Sequence, residues 1–146
     1  MTTIVYDHKN KQVACDSRET AGNVICSDSI TKYLTANDSL FFNCGSSSDG
    51  KVFAENAIHN TKQPENSDCG SIQIKDGKAY IVVTDGDIYK IQELECSEGI
   101  GSGGRFALSA LDFGKTAKEA VEYAMTRDIY TGGKVHVYDI EKGEFI

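Results

Sequence analysis

No apolar run in this chain approaches the length needed to cross a bilayer, which excludes a helical membrane span. No basic segment followed by an apolar stretch and a small-residue cleavage site stands near its start, so the expectation is a cytoplasmic protein. There is no Cys-x-x-Cys pair. The five cysteines, Cys15, Cys26, Cys44, Cys69 and Cys96, are odd in number and scattered, which suits free thiols rather than a disulfide framework or a zinc site. A basic stripe is also missing, and a net charge of -7 disfavours nucleic acid as a partner. His8, His59 and His136 have no partner spacing for a metal or a Cys-His dyad, and the expectation is that they face solvent. No repeat, low-complexity tract or linker interrupts the chain. What remains is ordinary globular composition, 40 % hydrophobic and 25 % charged, over 146 residues, which predicts one domain spanning 1–146.

Short strands are predicted at Thr3 to Asp7, Gln12 to Ser17, Ile30 to Leu34 and Leu40 to Cys44, with polar turns between them as antiparallel neighbours require. Val52, Phe53, Asn56 and Ala57 recur near helical spacing within Ser47 to His59, and the polar segment Asn60 to Asp68, which holds the only proline, ends that helix. Asp76-Gly77 between two β-rich runs signals a hairpin, and Asp85-Gly86 leads into a further strand over Asp87 to Leu94, the group forming a second sheet. Helices are predicted over Arg105 to Phe113 and from Thr116 onward, where Thr116 and Glu119 have capping-box spacing. Ala117, Ala120, Val121, Ala124 and Met125 make the core-facing stripe of that last helix. Lys134 to Ile140 closes the chain as a strand. The order is α+β: two sheets covered by helices on their outer faces.

The chemistry-bearing signal starts with Met1-Thr2-Thr3-Ile4. Methionine ahead of a small residue is commonly trimmed, and trimming would leave Thr2 with both a hydroxyl and a free α-amine, nucleophile and base in one residue. Five blocks follow in order: Asp16-Ser17-Arg18-Glu19-Thr20-Ala21-Gly22, Lys32, Gly45-Ser46-Ser47-Ser48-Asp49, Gly101-Ser102-Gly103-Gly104 and Arg127-Asp128-Ile129-Tyr130-Thr131-Gly132-Gly133. Together they resemble the peptidase subunits of the proteasome β and HslV (ClpQ) family of N-terminal nucleophile hydrolases.

That resemblance implies a four-layer αββα sandwich and a threonine-type endopeptidase needing no organic cofactor; no metal ligand set is expected. It implies Thr2 as the nucleophile, Lys32 beside it, Asp16 orienting Lys32, and a backbone N–H at Gly45 facing the oxyanion. Ser102 and Asp128 would hold the threonine amine, with Thr131 standing where the family usually has serine. The substrate would pair as an added strand with the segments around Thr20 and after Gly45. Glu19, Ile30, Asn43 and Ser47 would set side-chain preference, toward a small polar or basic residue before the cut. Implied partners are a peptide or unfolded protein, further copies of the chain in a homo-oligomer such as a ring, and an unfoldase ATPase. The chain departs from its relatives between His59 and Gly70, where they carry several tens more residues, and this puts double-ring stacking and ATPase docking in question.

Two rival readings stand beside this one. Gly99-Ile100-Gly101-Ser102-Gly103-Gly104 matches the dinucleotide fingerprint G-x-G-x-x-G, but that motif belongs to the first βαβ unit of a parallel sheet, and this chain opens with antiparallel strands. The other is a catalytically silent, proteasome-like oligomer in which Thr2 only begins a strand and Asp16 with Lys32 forms a weak surface pair.

Overall fold

A computed structural model describes residues 2–46, 50–61, 69–86 and 88–146. In chain order the elements are β1 (Ile4–Asp7), β2 (Gln12–Cys15), β3 (Glu19–Ala21), β4 (Val24–Ser27), β5 (Tyr33–Ala36), β6 (Ser39–Gly45) and α1 (Gly50–His59). There follow β7 (Cys69–Lys75), β8 (Lys78–Asp85), β9 (Ile88–Glu93), β10 (Glu98–Ile100), α2 (Gly104–Asp112), α3 (Ala117–Met125), β11 (His136–Asp139) and β12 (Glu144–Phe145). One five-stranded sheet has the order β10-β1-β2-β11-β12, the other β5-β6-β7-β8-β9, and β3 with β4 forms a separate hairpin.

Alternation along β1 shows how the layers are held. Ile4 and Tyr6, with Val13 and Cys15 of β2, pack against Phe42, Ile72, Ile74 and Ala79 of the other sheet. Val5 and Ala14 point the opposite way, onto Ala107 and Ala110 of α2 and Ala117, Ala120, Val121 and Ala124 of α3. The alanines bring both helices close to the sheet. On the far side of the second sheet, Phe41 and Val82 bury Phe53, Ala54 and Ala57 of α1. Period-two alternation therefore places Thr2 on the inter-sheet side with Ile4, and Thr3 on the helix side with Val5. Local signals fix the ends: Asp7 accepts from the backbone N–H of Lys9 and Asn10 in the β1–β2 turn, and Thr116 with Glu119 closes the capping box of α3.

Several expectations need correction. The strand predicted over Ile30 to Leu34 is β5, shifted to 33–36, where Tyr33 pairs with Phe42. The β3–β4 hairpin was not expected, because Glu19 and Thr20 are only half-buried and Ala21, Val24 and Ile25 exposed, with no alternating burial pattern. β5 and β6 belong to the second sheet, not the first: β6 is buried on both faces through Phe41 and Phe42 and pairs with β7 along its length. α1 is thus an excursion between neighbouring strands of one sheet. Its buried stripe is Gly50, Phe53, Ala54 and Ala57, while Val52 is exposed. The start of the predicted helix, Ser47 to Asp49, most of the departing segment, 62–68, and Asp87 lie outside the described residues. His136 is not solvent-facing. It pairs with Cys15 on the inter-sheet face and meets the Tyr33 ring edge-on at 5.5 Å, and burial, reinforced by Lys134, holds its imidazole below the usual histidine range.

Candidate active site

Thr2 lies two residues ahead of β1, buried, with its neighbour Thr3 gripped from both sides. Antiparallel pairing of β1 with β2 brings Asp16, the residue after β2, level with Thr3: the Asp16 N–H donates to the Thr3 carbonyl at 3.1 Å. The Asp16 carboxylate is 0 % exposed and collects four donors. Oδ1 accepts Lys32 Nζ at 2.8 Å and the Thr3 N–H at 3.0 Å; Oδ2 accepts the Gly132 N–H at 3.0 Å and the Arg18 N–H at 3.3 Å. Lys32 itself is 9 % exposed, so the pair is buried and not the weak surface contact of the silent reading. Its backbone is fixed too, since the Lys32 carbonyl accepts the Asn43 N–H at 2.8 Å.

A second carboxylate stands behind Thr2 on the helix side. Asp128 Oδ2 accepts the Ser102 hydroxyl and the Thr131 hydroxyl, each at 2.6 Å, and Oδ1 accepts the Tyr130 N–H at 3.2 Å. Thr131 Oγ1 is in turn 2.6 Å from Thr3 Oγ1. The Thr2 carbonyl faces the Gly103 N–H at 3.4 Å. This crowding explains the Gly-Ser-Gly-Gly block: a β-carbon on Gly101 would overlap the Thr2 carbonyl, and one on Gly103 would overlap the Thr3 hydroxyl. Those glycines serve close approach, and β10 ahead of them is antiparallel to β1, so the dinucleotide reading fails: its motif belongs to a parallel βαβ unit.

In front of Thr2 opens a cavity of about 340 Å³. Of the sequence-expected residues, Thr2, Glu19, Thr20, Ile30, Lys32, Asn43 and Gly45 line it. Asp16, Ser102, Asp128 and Thr131 form the supporting networks described above. Ser47 lies outside the described residues. Gly45 ends β6 with φ 106, a left-handed conformation that favours glycine, five positions ahead of the first residue of α1. Asn43 is held from behind, its Oδ1 accepting the Ser71 hydroxyl and its Nδ2 reaching the Gly50 carbonyl at 3.5 Å.

Sequence reasoning missed Thr3, which looked like a plain strand residue, and also Ser71, Lys51 and Tyr33, the last two lining the cavity. Arg18 was within a quoted block but had no role. It forks onto Asp28 at 2.8 and 3.0 Å and donates to the Ile129 carbonyl, tying the β3–β4 hairpin to the 128–131 loop. This pairing holds the Asp28 carboxyl below the usual range. Cys15, next to Asp16, is no rival nucleophile: burial first, then the Asp16 charge, partly offset by Lys32, pushes its thiol up to about 12. Among the described residues no group of three or more His, Cys, Asp or Glu side chains could hold a metal ion, and no helix is long and apolar enough to cross a membrane.

No model of a protein family and no curated protein matches the chain. Solved structures do match in shape. Eukaryotic HslV from Trypanosoma brucei superposes with a TM-score of 0.77 over 94 % of this chain and 98 % of that one, at 18 % identity. The chain has the HslV fold. Thiobacillus denitrificans BPH in complex with epoxomicin follows at TM-score 0.72 and 17 % identity, covering 94 % of this chain and 97 % of that one. BPH alone gives a TM-score of 0.71, also at 17 % identity, with 94 % and 95 % covered. The resemblance expected from the five sequence blocks therefore holds at the level of the fold; in this chain Thr2 and Lys32 line one cavity, and Asp16 bonds Lys32 and the Thr3 N–H.

Proposed function

We propose that this chain is a threonine-type endopeptidase of the N-terminal nucleophile class, one four-layer αββα domain acting on peptides or unfolded protein. The observation that carries the reading is the single oxygen of Asp16 shared by Lys32 Nζ and the Thr3 N–H, beside Thr2 at the cavity. A buried cation held there, lining the same cavity as Thr2, supports activation of the Thr2 hydroxyl. The neighbour that carries epoxomicin supports the same class.

In this reading Met1 is removed and the freed Thr2 α-amine is the base; an ordinary α-amine, with pKa about 7.7–8.0, is partly neutral near pH 7. Thr2 Oγ attacks the scissile carbonyl carbon as its proton passes to the amine. The oxyanion faces the Gly45 N–H, a donor worth roughly 3 kcal/mol of barrier in comparable sites. Collapse breaks the C–N bond, the amine returns the proton to the leaving nitrogen, and an ester on Thr2 remains. Water, deprotonated by the same amine, then attacks the ester, and hydrolysis restores the hydroxyl. Asp16 orients Lys32, and Ser102 with Asp128 and Thr131 holds the amine. The substrate backbone adds as a strand between the Thr20 and Gly45 segments, with Glu19, Ile30, Asn43 and Ser47 shaping the subsite. A cytoplasmic homo-oligomer, a ring included, suits such an enzyme by confining it. The segment 60–68, which joins α1 to β7, is too short to supply the several tens of residues that relatives use in stacking rings and docking an ATPase.

The test joins intact mass spectrometry to labelling. Native protein should lack Met1 and take up one equivalent of a threonine-directed electrophile, and Thr2→Ala should abolish both labelling and peptide cleavage. Cleavage that survives in Thr2→Ala would point to another nucleophile, and folded, trimmed protein that neither labels nor cleaves would favour the silent oligomer.

A further inference from the structure

Thr3 touches both carboxylate networks. Its N–H donates to Asp16 Oδ1, the oxygen that also takes Lys32 Nζ, and its carbonyl accepts the Asp16 N–H. Its hydroxyl, on the opposite side of the strand from the cavity, lies 2.6 Å from Thr131 Oγ1. The direction of that bond follows from counting protons. A threonine hydroxyl has one, and Thr131 spends its own on Asp128 Oδ2. Thr3 must therefore be the donor, giving a one-way chain from Thr3 to Thr131 to Asp128, where Ser102 donates to the same oxygen. The Thr3–Thr131 bond is closed to water, since Thr3 is 0 % and Thr131 1 % exposed, and Gly103 is packed so tightly on the Thr3 hydroxyl that no β-carbon fits between.

We infer that Thr3 is a positioning residue for the reaction: its hydroxyl locks the 2–3 peptide between the Asp16 and Asp128 networks, and so fixes where Thr2 presents its hydroxyl and amine. The inference rests on the proposed nucleophile at Thr2. Thr3 cannot touch substrate, because its side chain faces α2 and the 128–131 loop. It acts through the backbone it shares with Thr2, and near-attack geometry is sensitive to small shifts of that kind.

Two substitutions separate hydrogen bonding from packing. Thr3→Val keeps the shape and loses the hydroxyl; Thr3→Ser keeps the hydroxyl and loses the methyl. With every variant checked by intact mass for the same N-terminus, the inactivation rate and the binding constant of a threonine-directed peptide electrophile are measured separately. Thr3→Val should slow inactivation about tenfold, the scale of one lost buried hydrogen bond, with binding within about twofold, while Thr3→Ser stays near the parent rate. A Thr3→Val rate equal to the parent, or a Thr3→Ser rate that falls as far, overturns the inference. Should the parent protein not label at all, the nucleophile proposal fails instead. The hydroxyl chain is then judged by NMR, where slowly exchanging Thr3 and Thr131 hydroxyl protons support it and their absence refutes it.

Discussion

Replacing Asp16 by asparagine tests the central ion pair. The carboxylate receives donors on both oxygens, and a carboxamide keeps only one acceptor, so whichever way the new side chain turns, its NH₂ faces two N–H donors or Lys32 and one N–H. The larger cost is the Lys32 ammonium, whose side chain is only 7 % exposed and which loses the carboxylate 2.8 Å away. Leaving a buried charge without its partner costs about 3–5 kcal/mol, against roughly 0–1 kcal/mol for an exposed pair. At roughly 2–4 °C per kcal/mol for a chain of this size, Tm should fall by on the order of 10 °C. The chain has no tryptophan, so urea unfolding is followed by far-UV circular dichroism, where the midpoint should drop with the slope unchanged. Adding Lys32→Met to Asp16→Asn removes the buried cation as well as its carboxylate, and the double variant should recover a good part of the loss. A single-variant cost below about 1 kcal/mol, or a double variant no better than additive, would refute the claim that these two groups stabilise each other in the interior.

Two further outcomes follow from the same structure. In native protein a neutral thiol reagent should modify the exposed Cys26 and Cys96 first and spare Cys15, whose thiol is pushed up to about 12, until the chain unfolds; fast loss of Cys15 would contradict its burial. His136 titrates lower in the folded chain than its unfolded value of about 6.5, so the unfolded chain takes up that proton first as pH falls. Its contribution to stability is complete above that value and is lost toward acid, so wild type should weaken between pH 7 and pH 5 more than His136→Asn; parallel urea midpoints would disprove this.

Much of the local structure was legible in the chain. The Asp76-Gly77 hairpin, the α3 capping box and the alanine stripe from Ala117 to Ala124 depend on residues a few positions apart, and each appears where the pattern puts it. Sheet membership was not legible. Ile30 to Leu34 could pair with several neighbours, and only the two-sided burial of Phe41 and Phe42 draws β5 and β6 to β7. The β3–β4 hairpin was silent for the opposite reason, because exposed strands carry no burial pattern to read.

The candidate site divides the same way. By itself the sequence determined the candidate residue types and their order: a threonine near the start, Asp16, Lys32, the glycine turns and Asp128. Only the tertiary structure decided what those groups are worth, because an aspartate and a lysine 16 positions apart are a weak surface pair or a buried one according to whether β1, β2 and the 128–133 loop close around them. Thr3 belongs wholly to the second category. Nothing in its local sequence separates it from any strand threonine, and its role comes from a partner 128 residues away, a distance along the chain that no local pattern encodes and that packing alone brings to 2.6 Å.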